Sequence, residues 1–187
     1  MLKSNEEKWP HDWSYDGRYA TFVVLSEASN LDLFVLPLFG DQKPIPIATA
    51  LANEEHERFS PDGRWIAHTS DETGRREVYV QPFPPTGARW QVSQDGGSYP
   101  RWRGDGAELF YLAPDLNLVA VEIKLGTTFE VGAVRELFQV DDAGLGAGTG
   151  KYDVTRDGQR FLVNIAFDRP AADPILVVLN WTALLGR

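Results

Sequence analysis

The sequence predicts an all-β chain built as a β-propeller of four antiparallel blades, the last short by one strand, forming part of a ring. Three observations carry this: a repeated Asp-Gly turn, apolar columns at fixed offsets from it, and third strands that align between copies. Asp16-Gly17, Asp62-Gly63, Asp105-Gly106 and Asp157-Gly158 recur at spacings of 46, 43 and 52 residues, the length of a four-stranded propeller blade. Three residues before each Asp stand Trp13, Phe59, Trp102 and Val154, and three after each Gly stand Ala20, Ile66, Leu109 and Phe161. Chance Asp-Gly pairs would not share apolar neighbours on both sides. A strand entering and a strand leaving each turn with the same faces buried explains both columns.

In Ser60-Pro61-Asp62-Gly63, Pro presets φ at the first turn position, Asp tolerates the next, and Gly takes the positive φ that closes the hairpin. The copies "SYDG", "RGDG" and "TRDG" lose Pro and keep Asp-Gly, so Gly is the harder requirement. The third strands are "DLFVLPL", "EVYVQPF", "NLVAVEI" and "ILVVLN"; Phe34 aligns with Tyr79, Val35 with Val80 and Pro37 with Pro82. "PIPIAT", "RWQVS" and "RELFQV" supply fourth strands rich in β-formers. Pro44 and Pro46 suit an outer edge, where a missing N–H costs little. No fourth strand is expected after "ILVVLNWTALLGR". "NEEHERF" reads as a loop and "VGAVRELFQV" as a strand, so no helix is expected. The whole chain, 1–187, is one array, with blades at about 8–50, 51–96, 97–147 and 148–187.

With 187 residues, 43% of them hydrophobic, the chain is long enough to bury a sizeable core. Its formal net charge of -9 would repel a nucleic-acid duplex, so no nucleic-acid partner is expected. The absence of cysteine excludes disulfides, thiolate metal sites and a cysteine nucleophile. No stretch reaches the roughly 18 apolar residues of a membrane helix, so no membrane insertion by this segment is expected, and the sequence does not name a compartment.

The stretch "FSPDGRWIAHTSDETGRREVYVQPFP", joined by "PRWRGDGAELFYLAP", "YDVTRDGQRFLVN" and the terminal "NWTALL", resembles the TolB-type, WD-like propeller repeat of bacterial proteins. The resemblance spans nearly the whole chain in four copies in register. It implies the C-terminal part of a larger protein, attached in relatives to a serine/threonine kinase or a winged-helix domain. Kinase-linked relatives place the propeller beyond a membrane helix, which implies a periplasmic or extracytoplasmic site. Rings of this family usually have six or seven blades against the four counted here.

Chemistry is sparsely signalled. There is no Gly-x-Ser-x-Gly elbow, and His11, His56 and His68 form no His-x-x-x-His ligand pair. His68 falls in the strand column of Phe22, Tyr111 and Val163 and reads as a packed strand residue. "GLGAGTG" departs from Gly-x-Gly-x-x-Gly at Thr149 and precedes a strand instead of a helix, so it reads as an inter-blade loop. "NEE" at Asn5 and Asn53 reads as solvated loop, without the Asp-x-Asp-x-Asp-Gly pattern of a calcium site. Trp13, Phe59, Trp102 and Val154 are expected as core between blades; Trp65 and Trp90 are less constrained. No catalytic, cofactor or metal residue is assigned.

The expectation is therefore a non-catalytic module for protein interaction or ligand sensing. The alternatives are a propeller enzyme using carboxylates and histidines from several blades, or a truncated product without independent activity. An unclosed stack leaves an apolar face bare at each end, so a homodimer through the exposed blade faces is expected.

Overall fold

A computed structural model describes residues 6–26, 30–49, 51–126, 128–140, 151–164 and 175–178. They form four antiparallel sheets, each a meander in chain order, with no helix among them. The first blade holds β1 (Lys8–Trp13), β2 (Tyr19–Ser26), β3 (Asn30–Pro37) and β4 (Ile45–Ala48). The second holds β5 (Glu54–Phe59), β6 (Trp65–Ser70), β7 (Glu77–Pro82) and β8 (Trp90–Gln91). The third holds β9 (Ser98–Trp102), β10 (Glu108–Leu112), β11 (Asn117–Leu125) and β12 (Phe129–Gln139). The last shows β13 (Tyr152–Val154), β14 (Phe161–Asn164) and β15 (Ile175–Val178). The expected absence of a fourth strand there, and the glycine-rich "GLGAGTG", lie outside the described residues.

Each Asp-Gly turn does more than tolerate its Asp. Ser14 Oγ donates to Asp16 Oδ1 at 2.7 Å, the Arg18 amide donates to the same oxygen, and the Tyr19 amide donates to Ser14 Oγ. Ser60 with Asp62 and Thr155 with Asp157 repeat this arrangement. In the third copy Arg103 replaces the hydroxyl residue and donates from Nε to Asp105 at 2.7 Å, while the Ala107 amide keeps its place. The Arg103 guanidinium holds the Asp105 carboxyl down to about 2. Gly63 has φ 70° and open space where a Cβ would stand. Gly63→Val is therefore strained through its backbone alone. The expected loss is about 1 to 3 kcal/mol, read as a shift in denaturation midpoint.

The core lies between blades. Val23, Leu33 and Val35 of the first meet Phe59, Ile66 and Phe83 of the second. Trp65, Val78 and Val80 of the second meet Trp102, Leu109 and Val121 of the third, and Phe110, Leu118 and Ala120 of the third meet Tyr152, Phe161 and Val163 of the last. Phe59, Trp102 and Val154 thus each face the blade before their own. Trp65 and Trp90 also belong to this core, packed edge-on at 5.6 Å with Phe129 beside both.

Trp13 does not fit its expected place. It pairs with Ala20 as Trp102 pairs with Leu109, yet it is 62% exposed where Trp102 is 8% exposed. The reason is positional: the face bearing Trp13 is the one that packs on a preceding blade, and its own blade comes first in the array. The "NEEHERF" segment also differs from expectation, because Glu54–Phe59 is the inner strand β5. A register shift between Glu55 and Arg58, with His56 at φ 60°, interrupts the alternation by which a strand is recognised.

Candidate functional site

The four inner strands β1, β5, β9 and β13 surround a cavity of about 640 Å³. Its wall draws on two repeat columns directly before the apolar one, taking His11 and Tyr152 from the first and all four residues of the second. Five residues before each turn Asp stand His11, Glu57, Pro100 and Tyr152; four before it stand Asp12, Arg58, Arg101 and Asp153. Side chains alternate along a strand: Phe59, Trp102 and Val154 pack on the preceding blade, and the four charged residues beside them line the cavity. The Phe59 amide of the second blade donates to Asp12 Oδ2 at 2.7 Å, which fixes that carboxylate against the next inner strand.

The two arginines sit side by side on adjacent blades. Arg58 Nη1 donates to the carbonyls of His11, at 3.0 Å, and Glu57. Arg101 Nη1 donates to the Pro100 carbonyl at 2.9 Å, and its Nε lies 3.7 Å from Asp153. Arg101 is 7% exposed; burial first, then the neighbouring Arg58 charge, lowers its guanidinium below the usual value. Its Cζ lies 5.6 Å from the centre of the Tyr152 ring. Burial pushes the Tyr152 phenol up, and its hydroxyl has no hydrogen-bond partner among the described residues. Burial likewise raises the Asp12 carboxyl, opposed by the Phe59 amide and the Arg58 charge.

A second group joins the first two blades. His11 Nδ1 lies 2.8 Å from Oε2 of Glu57, which is fully buried. The His56 ring stacks at 6.5 Å on His11 and lies tilted, at 3.9 Å, against Tyr99, its counterpart on β9, which also has positive φ. Burial first, then the Arg76, His11, Arg101 and Arg58 charges, lowers the His56 imidazole to about 3. An unfolded histidine titrates near 6.5, so the unfolded chain binds the extra proton between these values. Stability from neutral His56 is present above about pH 6.5 and is lost as pH falls toward 3, by up to about 1.4 kcal/mol per unit. Asn tolerates positive φ, so His56→Asn is expected to flatten that acid limb in denaturation midpoints measured against pH.

At the rim, Arg156 Nη1 donates to Tyr15 Oη at 2.9 Å, linking the last turn to the first. The Gly104 amide donates to the Arg156 carbonyl at 2.8 Å. Trp13 and Trp102 also line the cavity.

Away from the cavity, Ser70, Glu54 and His68 form a group that superficially suggests a hydrolytic triad. Ser70 Oγ donates to Glu54 Oε1 at 2.9 Å, and His68 Nε2 lies 3.2 Å from Glu54 Oε2. The hydroxyl bonds to the carboxylate instead of the imidazole, and all three residues are fully buried. That makes it an internal tie of the second blade, with no route for a substrate. Asn53, the visible start of the second "NEE", donates from its amide and side chain to Asp71, both at 2.7 Å; Asn5 lies outside the described residues. Among the described residues no three His, Cys, Asp or Glu side chains are grouped to hold a metal ion.

The sequence reading singled out the turn and the apolar column and passed over the charged columns beside them. The signal was present as four tripeptides, "HDW", "ERF", "PRW" and "YDV", each with a charged residue directly before an apolar one. Taking "NEEHERF" as loop removed one copy and hid the pattern.

No protein-family profile matches this sequence, and no curated protein matches it. Solved structures do match the fold. TolB from Acinetobacter baumannii aligns with a TM-score of 0.66 at 16% identity, over 96% of this chain and 42% of that one. An oligogalacturonate lyase in complex with manganese aligns with a TM-score of 0.67 at 16% identity, over 96% and 50%. The periplasmic gluconolactonase of Pseudomonas aeruginosa aligns with a TM-score of 0.52 at 19% identity, over 84% and 47%. The chain is a β-propeller array of the kind found in TolB and its structural neighbours, and it spans about half the length of the three structures compared. Those neighbours include enzymes, so the fold alone does not decide activity.

Proposed function

We propose that this chain is a binding module: a propeller segment of a larger bacterial protein that holds a ligand or a partner's segment in the axial cavity. The observation that carries the reading is the wall itself. Two guanidiniums, two carboxylates and a phenol converge from four separate strands on one space, with Trp13 and Trp102 beside them. Few polar groups placed among aromatic rings in a concave site are the usual make-up of a ligand pocket. The same tryptophans report occupancy. Titrating the chain with a panel of sugar acids, neutral sugars and short peptides is expected to shift tryptophan emission saturably for at least one class. No turnover of oligogalacturonate or gluconolactone is expected in parallel assays, and measurable turnover would overturn the binding-only reading.

One observation favours an enzyme as the second reading. Glu57 engages His11 Nδ1, which leaves Nε2 of a cavity-lining imidazole available as a general base. Turnover abolished by His11→Gln, with the fold retained, would establish it.

The proposal extends to pairing of two chains. The Trp13 face is the repeat's packing face, and two copies together approach the length of one of the structurally similar chains. Pairing would replace the exposed Arg156–Tyr15 contact, which is worth little, with apolar burial. Light scattering coupled to size exclusion is expected to give about 42 kDa, twice the 20.9 kDa chain, at micromolar concentration. A mass near 20.9 kDa at every concentration rules pairing out.

A further inference from the structure

We propose that the axial cavity recognises a carboxylate monoanion, held between Arg58 and Arg101 and capped by the Tyr152 hydroxyl. This rests on the binding-module reading and names the chemistry of what is bound. The first ground is unused donor capacity. Both arginines spend Nη1 on backbone carbonyls, and neither has a carboxylate within hydrogen-bond distance. A guanidinium carries five N–H donors in a planar fork that matches a carboxylate's two oxygens, so most of the donor set at this wall is unspent.

The second ground is independent of the arginines. Tyr152 is 3% exposed, lines the cavity, and its hydroxyl has no partner among the described residues. A buried phenol kept protonated is a donor that lacks an acceptor, and leaving it so costs free energy. An incoming oxyanion supplies that acceptor. It also relieves the repulsion between two cations on neighbouring strands, one of them almost fully buried.

The carboxylates of the same rung limit the charge of the ligand. Asp12 accepts from the Phe59 amide and Asp153 from the Val154 amide at 2.9 Å, so each is anchored by backbone; Asp153 stays 3.7 Å from Arg101 Nε, an ion pair beyond hydrogen-bond distance. Their charges remain nearby and bring the formal sum of Asp12, Arg58, Arg101 and Asp153 to zero. A monoanion is accommodated there; a phosphate dianion meets more repulsion for the same donors. A cation finds Asp12 already engaged and two guanidiniums opposite. A small organic acid and the C-terminus of a peptide present the same group, and 640 Å³ admits either.

Calorimetric titration of the full chain with benzoate and benzamide isolates the carboxylate. A tetrapeptide with a free or amidated C-terminus does the same for the peptide source. Saturable binding of an acid, with its amide silent, is expected for at least one pair, and the pair that binds identifies the source. Arg101→Met is expected to weaken that acid roughly ten-fold, and Tyr152→Phe, which removes one oxygen and no packing, about five-fold. Lys124→Gln takes the same charge from an exposed β11 position and is expected to leave affinity unchanged, which separates the site from bulk charge. Thermal midpoints check folding, and Tyr152→Phe tests the site should Arg101→Met fail to fold. Acids and amides binding alike, or Tyr152→Phe binding the acid as tightly as the parent chain, overturns the proposal. Neutral sugars binding while every acid fails overturns the carboxylate assignment and leaves the binding-module reading standing.

Discussion

Trp102→Ala is expected to lower stability by about 3 to 5 kcal/mol, while Trp13→Ala, the same change in the same repeat column, costs less than about 0.5 kcal/mol in dilute monomeric chain. The difference follows from what each indole touches. Trp102 fills the space between the second and third blades beside Leu109 and Val121, and its Nε1 donates to the Arg58 carbonyl at 3.2 Å. Truncation would empty a large volume in a close-packed interface and leave that carbonyl short of a donor. Among the described residues no blade packs on the Trp13 face, so its removal opens no cavity there. Urea denaturation of the two variants measures both. Equal losses would mean that the Trp13 face is covered in the isolated chain.

His11→Ala is expected to cost about 3 kcal/mol, although His11 is a lining residue of an open cavity. The loss arises at its partner. Glu57 is fully buried on β5, and His11 Nδ1 meets its Oε2 at 2.8 Å; the other carboxylate oxygen has no hydrogen-bond partner among the described residues. Without the imidazole, a carboxylate is left desolvated between the first two blades, and an unpaired buried charge costs more than the packing of the group removed. His11→Ala combined with Glu57→Gln is expected to recover part of the loss, because the amide carries no charge to bury. A double-mutant cycle in chemical denaturation reads the coupling. Additive losses would show that the pair does not act as a unit.

The tie between His11 and Glu57 also bears on the cavity. It joins the strands that carry Asp12 and Arg58, so the charged rung inherits its geometry from a bond one residue upstream. The bulge at His56 serves the same end. By shifting register before Arg58, it lets β5 enter with buried Glu54, His56 and Glu57 and still align Phe59 with the apolar column.

What the sequence by itself determined is the periodic part of the molecule. Asp-Gly turns and apolar columns are local requirements of φ and of strand alternation, repeated in every copy, so four blades, their strand order and the buried places of Phe59 and Trp102 were legible from spacing. Tertiary structure decided whatever depends on which neighbour a blade has. Trp13 obeys the repeat and is exposed because, among the described residues, no blade packs on its face. The inner strand β5 was hidden by a bulge, whose extra residue breaks the period of two. The cavity was hidden for a different reason: His11, Asp12, Arg58, Arg101 and Tyr152 lie up to 141 residues apart in the chain, and only the convergence of four inner strands makes their charges and hydroxyl one site.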